Sequence, residues 1–175
     1  MSRVSTNNTP AASQAVMAQI QSAFGATPNM FKAVANSPAA LQSMWAAFGA
    51  LGKGSIGAKL GEQLAVAIAN YNRCEYCLAA HTALGQKAGA SLADMSAAQV
   101  GQSGDPKTAA ALDFALKVVA QRAQISDADV ATLRAAGFGD EQVVEIIAHV
   151  ALNLFTNYIN VALDVPVDFP KVALK

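Results

Sequence analysis

Apolar residues recur along this chain at spacings of three and four, the signature of helices that each bury one face. Nowhere do apolar and polar positions alternate long enough to support a strand. Start and stop signals divide the sequence into helical blocks. Residues 11–24 form a first amphipathic stretch, stopped at Gly25. Thr27-Pro28 and Ser37-Pro38 each place a capping side chain before a proline at the first helical position, which opens helices over 28–35 and 38–51. A loop over 52–57 precedes a helix that runs to about Tyr71. Asn72-Arg73 reads as a tight turn, and the next helix runs from about Cys74 to Ala88, with Gly89 as its stop. Ser91 and Asp94 form a capping box in which Asp replaces the usual Glu or Gln. Asp105-Pro106 opens 106–122, Ser126 caps a helix to Ala136, and Asp140 begins the last long helix, to about Leu163. The ends, about 1–10 and 166–175, read as extended tails. The pattern predicts an all-α fold: a compact multi-helix bundle forming one domain over 1–175, with an αα-hairpin across the Asn72-Arg73 turn.

Composition narrows the function classes. Lys plus Arg is 12 and Asp plus Glu is 12, so the net charge is zero and no basic run marks a nucleic-acid surface. Hydrophobic residues make up 53%, too many for a disordered chain. The most apolar long stretch, 143–163, carries His149, Asn153, Asn157 and Asn160, which are costly in lipid; it reads as a buried helix and not as a membrane span. The N-terminal residues lack the apolar core of a signal peptide, so a cytoplasmic location with reduced thiols is expected. Charged residues are only 14%, against about 25% in an average soluble domain. A neutral, charge-poor surface is prone to associate, so subunit contacts are expected.

The candidate chemistry lies between Glu62 and His81. On a helix that steps about 100° per residue, Cys74, Cys77 and His81 fall within roughly 60° of one another, so both thiols and the imidazole share a face. If Asn72-Arg73 is the hairpin turn, Glu62 lies on the order of 15 Å before it and His81 on the order of 13 Å after it, at about 1.5 Å per residue. The two therefore sit nearly level on facing helices. Glu62 is the one acid between Leu60 and Arg73, on a helix with Leu64, Val66 and Ile68, so its carboxyl is expected to be partly buried and to serve as a proton acceptor. A Cys-x-x-Cys at a helix N-terminus lowers a thiol pKa through unpaired N–H groups and the helix dipole, and Arg73 adds positive charge. His81 takes a proton from Cys77, and Glu62 orients and charge-balances His81. A second thiol within reach turns a sulfenic acid into a disulfide before it over-oxidises.

Glu62 followed by Cys74-x-x-Cys77-x-x-x-His81, with Tyr76 before the second cysteine, resembles the AhpD-like branch of the carboxymuconolactone decarboxylase superfamily. The resemblance runs from about Pro28 to the closing Asn157-Tyr158-x-Asn160 and Asp168-Phe169-Pro170 segment. It implies an all-helical protein that assembles as a trimer or hexamer. It also implies thiol-dependent peroxidase or disulfide reductase activity without metal or haem. On this resemblance Cys77 is the peroxide-attacking thiol, Cys74 the resolving one, His81 the base and Glu62 the relay acid. The implied substrate is hydrogen peroxide or an organic hydroperoxide, and the implied electron donor a dithiol or thioredoxin-like protein. The alternative from another class is a redox-sensing or partner-binding helical oligomer with negligible turnover.

Other readings compete at single residues. Cys74, Cys77 and His81 could bind zinc with His149 as a fourth ligand, but three ligands on one helical stripe is an unusual zinc geometry. Haem attachment needs histidine directly after the second cysteine, where Leu78 stands. Glu145, His149, Asn153 and Asn157 recur every four residues, with Asn160 near the same face. They read as a hydrogen-bonded stripe in the core or at an interface, or as a polar pocket wall. Met44, Trp45 and Phe48 read as core or interface. Asp113 and Lys117 read as a surface i,i+4 pair.

Overall fold

The computed structural model describes residues 2–175. These form nine α-helices and no strand, as the periodicity predicts. They are α1 (Gln14–Phe24), α2 (Asn29–Val34), α3 (Pro38–Leu51), α4 (Ala58–Tyr71) and α5 (Glu75–Lys87), then α6 (Leu92–Ala98), α7 (Pro106–Ala120), α8 (Asp127–Ala135) and α9 (Asp140–Ala162). A 3₁₀ turn over Ala11–Ser13 leads into α1.

Most boundaries follow from local signals. The side chains of Ser37, Asp105, Ser91 and Ser126 each accept a hydrogen bond from the backbone N–H three residues on, the last two within full capping boxes. Two starts differ from expectation. Thr27 does not cap α2; its hydroxyl donates to Gln21, and the carboxylate of Asp168, 139 residues later, accepts the Asn29 N–H at 2.8 Å. Cys74 lies outside α5 as its N-cap, in an extended conformation, with its sulfur accepting from the Cys77 N–H at 3.3 Å. Helix α7 stops two residues short of the expected end, where Arg122 and Ala123 take left-handed backbone angles.

Helix α4 is the axis of the fold. Its residues from Gln63 to Ala69 are all buried, and it packs against α5, α6, α7 and α9. A helix apolar nearly all round has to be enclosed in this way. The α4–α5 hairpin turns through Asn72 and a left-handed Arg73. Two glycines let other elements close on α4 around Glu62. A Cβ on Gly61 would sit 3.2 Å from the His149 ring, and one on Gly85 of α5 would strike the Met95 side chain and touch Glu62 Cβ at 3.4 Å. The tail 166–175 is extended, as expected, yet anchored: Asn70 and Gln99 bond to Lys175 and Ala173, and the Lys175 ammonium bonds to Ser96.

Candidate active site

The hairpin brings the expected four residues together. Glu62 and His81 face each other across α4 and α5, with Oε2 2.7 Å from Nδ1. The His81 side chain is 11% exposed and that of Glu62 23%, so the pair is largely shielded from water. Burial alone would push the His81 imidazole down. The Glu62 charge and hydrogen bond, and then Cys77, outweigh it, and His81 is held above its ordinary value.

The two thiols are both free and buried, and their positions at the helix start separate them. Burial would raise the Cys77 thiol. Against it act the hydrogen bond from Cys74, the positive His81, and the amides of Asn160 and Asn157, and the balance brings Cys77 down to about 6. The hydrogen bond with Cys77 and burial push the Cys74 thiol far the other way. The two sulfurs titrate together, and the balance of burial and hydrogen bonds favours the charge on Cys77 and the proton on Cys74. Arg73 does not contribute as expected: its guanidinium donates to the Lys175 carbonyl at 3.0 Å, away from the thiols.

The surroundings of Cys77 include residues that the sequence motif did not point to. Asn160 of α9 donates from Nδ2 to the Cys77 sulfur at 3.1 Å, and the Thr156 hydroxyl lies 4.0 Å from it. Both side chains are buried. The polar stripe on α9 therefore divides: Asn160 reaches the sulfur, Asn157 accepts from Asn72 at 2.9 Å, and Glu145 accepts from the Ser55 and Ile56 loop. The sequence signalled Asn160 through the polar residues recurring on an apolar helix and through the closing Asn157-Tyr158-x-Asn160 segment, and it gave no signal for Thr156.

Cys77, His81 and Glu62 form one wall of a cavity of about 450 Å³. Its remaining lining is dominated by aromatic rings, Phe24, Phe31, Trp45 and Phe48 from α1–α3, with Tyr76 and Phe169 opposite. Phe31 meets Trp45 and Phe48 edge-on at 5.9 and 6.0 Å, and Tyr76 meets Phe169 edge-on at 5.7 Å. Trp45 and Phe48 thus wall the cavity, whereas Met44 beside them is fully buried core. The Tyr76 hydroxyl accepts from the Met30 N–H at 3.2 Å, which ties the cysteine motif to α2. Among the described residues no group of three or more His, Cys, Asp and Glu side chains is arranged to hold a metal ion.

Residues 38–121, which include all four residues, match the Carboxymuconolactone decarboxylase family. An alkylhydroperoxidase AhpD core structure, an uncharacterized peroxidase-related protein from Ralstonia eutropha JMP134, superposes with a TM-score of 0.85 at 26% identity, covering 95% of this chain and 92% of that one. This chain has an AhpD-like fold, and its central segment is similar to the carboxymuconolactone decarboxylase family. Two further structures share the fold of this AhpD-like chain. An uncharacterized peroxidase-related protein from Silicibacter sp. TM1040 has a TM-score of 0.83 and 24% identity, covering 98% of this chain and 92% of that one. The debrominase Bmp8, in a cysteine-to-alanine variant complexed with 2,3,4-tribromopyrrole, has a TM-score of 0.76 and 20% identity, covering 89% and 84%. No curated protein sequence matches this AhpD-like chain significantly. Among the described residues no helix is long and apolar enough to cross a membrane.

Proposed function

We propose that this AhpD-like protein is a thiol-dependent peroxidase that reduces organic hydroperoxides through Cys77 and Cys74. The observation that carries the reading is the Cys77 sulfur at the wall of an aromatic cavity, with an amide donor on one side and the Glu62–His81 pair on the other. Cys77 as thiolate attacks one peroxide oxygen, an S–O bond forms and the O–O bond breaks. His81, as imidazolium, gives its proton to the departing alkoxide, which leaves as the alcohol. The Cys74 thiol then attacks the Cys77 sulfenic acid; an S–S bond forms and water leaves with the thiol proton. A dithiol reduces the disulfide, becomes a disulfide itself, and returns one proton to Cys74 and one to His81. It attacks the Cys74 sulfur, because the low-pKa Cys77 is the better leaving group.

An aromatic cavity of about 450 Å³ favours a peroxide with an apolar body over hydrogen peroxide, since burying such a body adds roughly 25 cal/mol per Å². The deciding experiment is steady-state peroxide consumption with a dithiol donor. Cumene hydroperoxide is expected to show a higher kcat/KM than hydrogen peroxide. Cys77→Ser is expected to fall to background, and Cys74→Ser to complete one oxidation and stall. Unchanged turnover in Cys77→Ser contradicts the assignment. No turnover, together with a change of oligomer size on oxidation, supports the sensor reading instead. Bromide release from 2,3,4-tribromopyrrole, without peroxide consumption, would replace the peroxidase reading with a dehalogenating one.

A further inference from the structure

A second, smaller cavity also borders the Glu62–His81 pair. It measures about 140 Å³, and Glu62, His81, His149 and Asn153 line it together with the start of α4. The Nε2 atom of His149 is buried and has no hydrogen-bond partner among the described residues. A buried polar atom left without a protein partner points to an ordered water, an ion or a functional role. A cavity of this size has room for a few waters, at about 30 Å³ each in the liquid, and Glu62, His81, His149 and Asn153 are the polar partners in an otherwise mainly apolar lining. Gly61, directly before Glu62, is what lets the ring come this close to α4. Glu62 presents Oε2 to His81, and its other oxygen makes no hydrogen bond to a described residue.

We propose that His149 is a positioning residue, donating from Nε2 through cavity water to the Glu62 carboxylate and so holding that carboxylate aimed at His81. The charged and titratable groups near His149 are Glu145 on its own helix, Glu62 on α4 and His81 on α5. Burial and the positive His81 hold His149 neutral at pH 7 against the two carboxylates. Glu145 is already occupied, accepting from the Ser55 N–H and hydroxyl at 2.8 Å each and from the Ile56 N–H at 3.2 Å. This leaves Glu62 as the carboxylate for the histidine to serve.

The inference rests on the peroxidase reading for its consequence in turnover but not for its primary test. That test is the pH dependence of Cys77 alkylation by iodoacetamide, which needs no peroxidase activity. His149→Leu keeps the volume apolar and removes the donor. It is expected to raise the Cys77 midpoint by half to one unit, since a weaker grip on Glu62 weakens the positive charge on His81. His149→Gln places an amide N–H close to the original Nε2 and is expected to restore the wild-type midpoint. Where peroxide is consumed, His149→Leu is expected to lower kcat about fivefold, the factor of one ordinary hydrogen bond, with KM unchanged. A midpoint unmoved in a folded His149→Leu, or equal displacement in His149→Leu and His149→Gln, would overturn the proposal. Absence of turnover in the wild type with the midpoint shift intact would overturn the peroxidase reading alone.

Discussion

Two cysteines three residues apart have opposite chemistry here because one lies before the helix and the other within it. Cys74 spends its sulfur capping α5, while Cys77 sits in the first turn with an amide and an imidazolium near it. The Asn160 bond to a thiolate is charge-assisted and stabilises the charged form by about 1.5–3 kcal/mol. Asn160→Ala is therefore expected to raise the Cys77 alkylation midpoint by one unit or more and to slow peroxide reduction at pH 7. Glu62→Gln removes the charge that holds His81 high, so the imidazole loses its proton at lower pH and Cys77 rises with it. The rate of thiol oxidation in Glu62→Gln is expected to fall at least tenfold at pH 7, measured by single-turnover oxidation. An unchanged rate would mean that Glu62 has no part in activating the thiol.

At the scale of helices, the α4–α5 hairpin sets the site by register. Rise per residue is fixed, so counting from the Asn72-Arg73 turn was enough to bring Glu62 and His81 level, and they meet at 2.7 Å. Capping at Ser37, Ser91, Asp105 and Ser126 was legible for the same reason, because donor and acceptor lie within one turn. What was not legible depends on distant pairs. Asp168 reaches α2, Asn160 and Thr156 reach Cys77, and Arg73 turns to the Lys175 carbonyl, each decided by packing between elements far apart in sequence. The aromatic cavity was hidden likewise, since Trp45 and Phe48 at helical spacing look like any core face. Gly85 of α5 leaves room for the buried Met95 side chain of α6, which any larger residue there would strike. Gly85→Val is expected to destabilise the fold by about 1–3 kcal/mol, the usual cost of overpacking, read as a lower Tm.

For the whole molecule, the charge-poor composition has a counterpart on α9. Val144, Ile147, Tyr158 and Val161 recur along its outer side with exposures between 40% and 67%. Spacings of three, eleven and three place them on one stripe within roughly 100° of one another, on the same helix whose inner face supplies Asn160. A homo-oligomer, trimer or hexamer, that covers this stripe is the expected state. Light scattering is expected to give a mass of three or six chains for the wild type and a smaller one for Val144→Glu with Val161→Glu. A wild type that runs as a monomer would leave the stripe without this explanation. The proposed chemistry depends on one sulfur in any state of assembly, and its most direct test is that atom's ionisation. Wild-type protein should be alkylated with iodoacetamide across pH 4–10, and each cysteine should be followed by mass spectrometry. Cys77 is expected to label with a midpoint near 6, its rate rising through that pH and level by pH 8, while Cys74 stays unlabelled. A Cys77 midpoint at or above that of a free thiol, about 8.5, or faster labelling at Cys74, would contradict it.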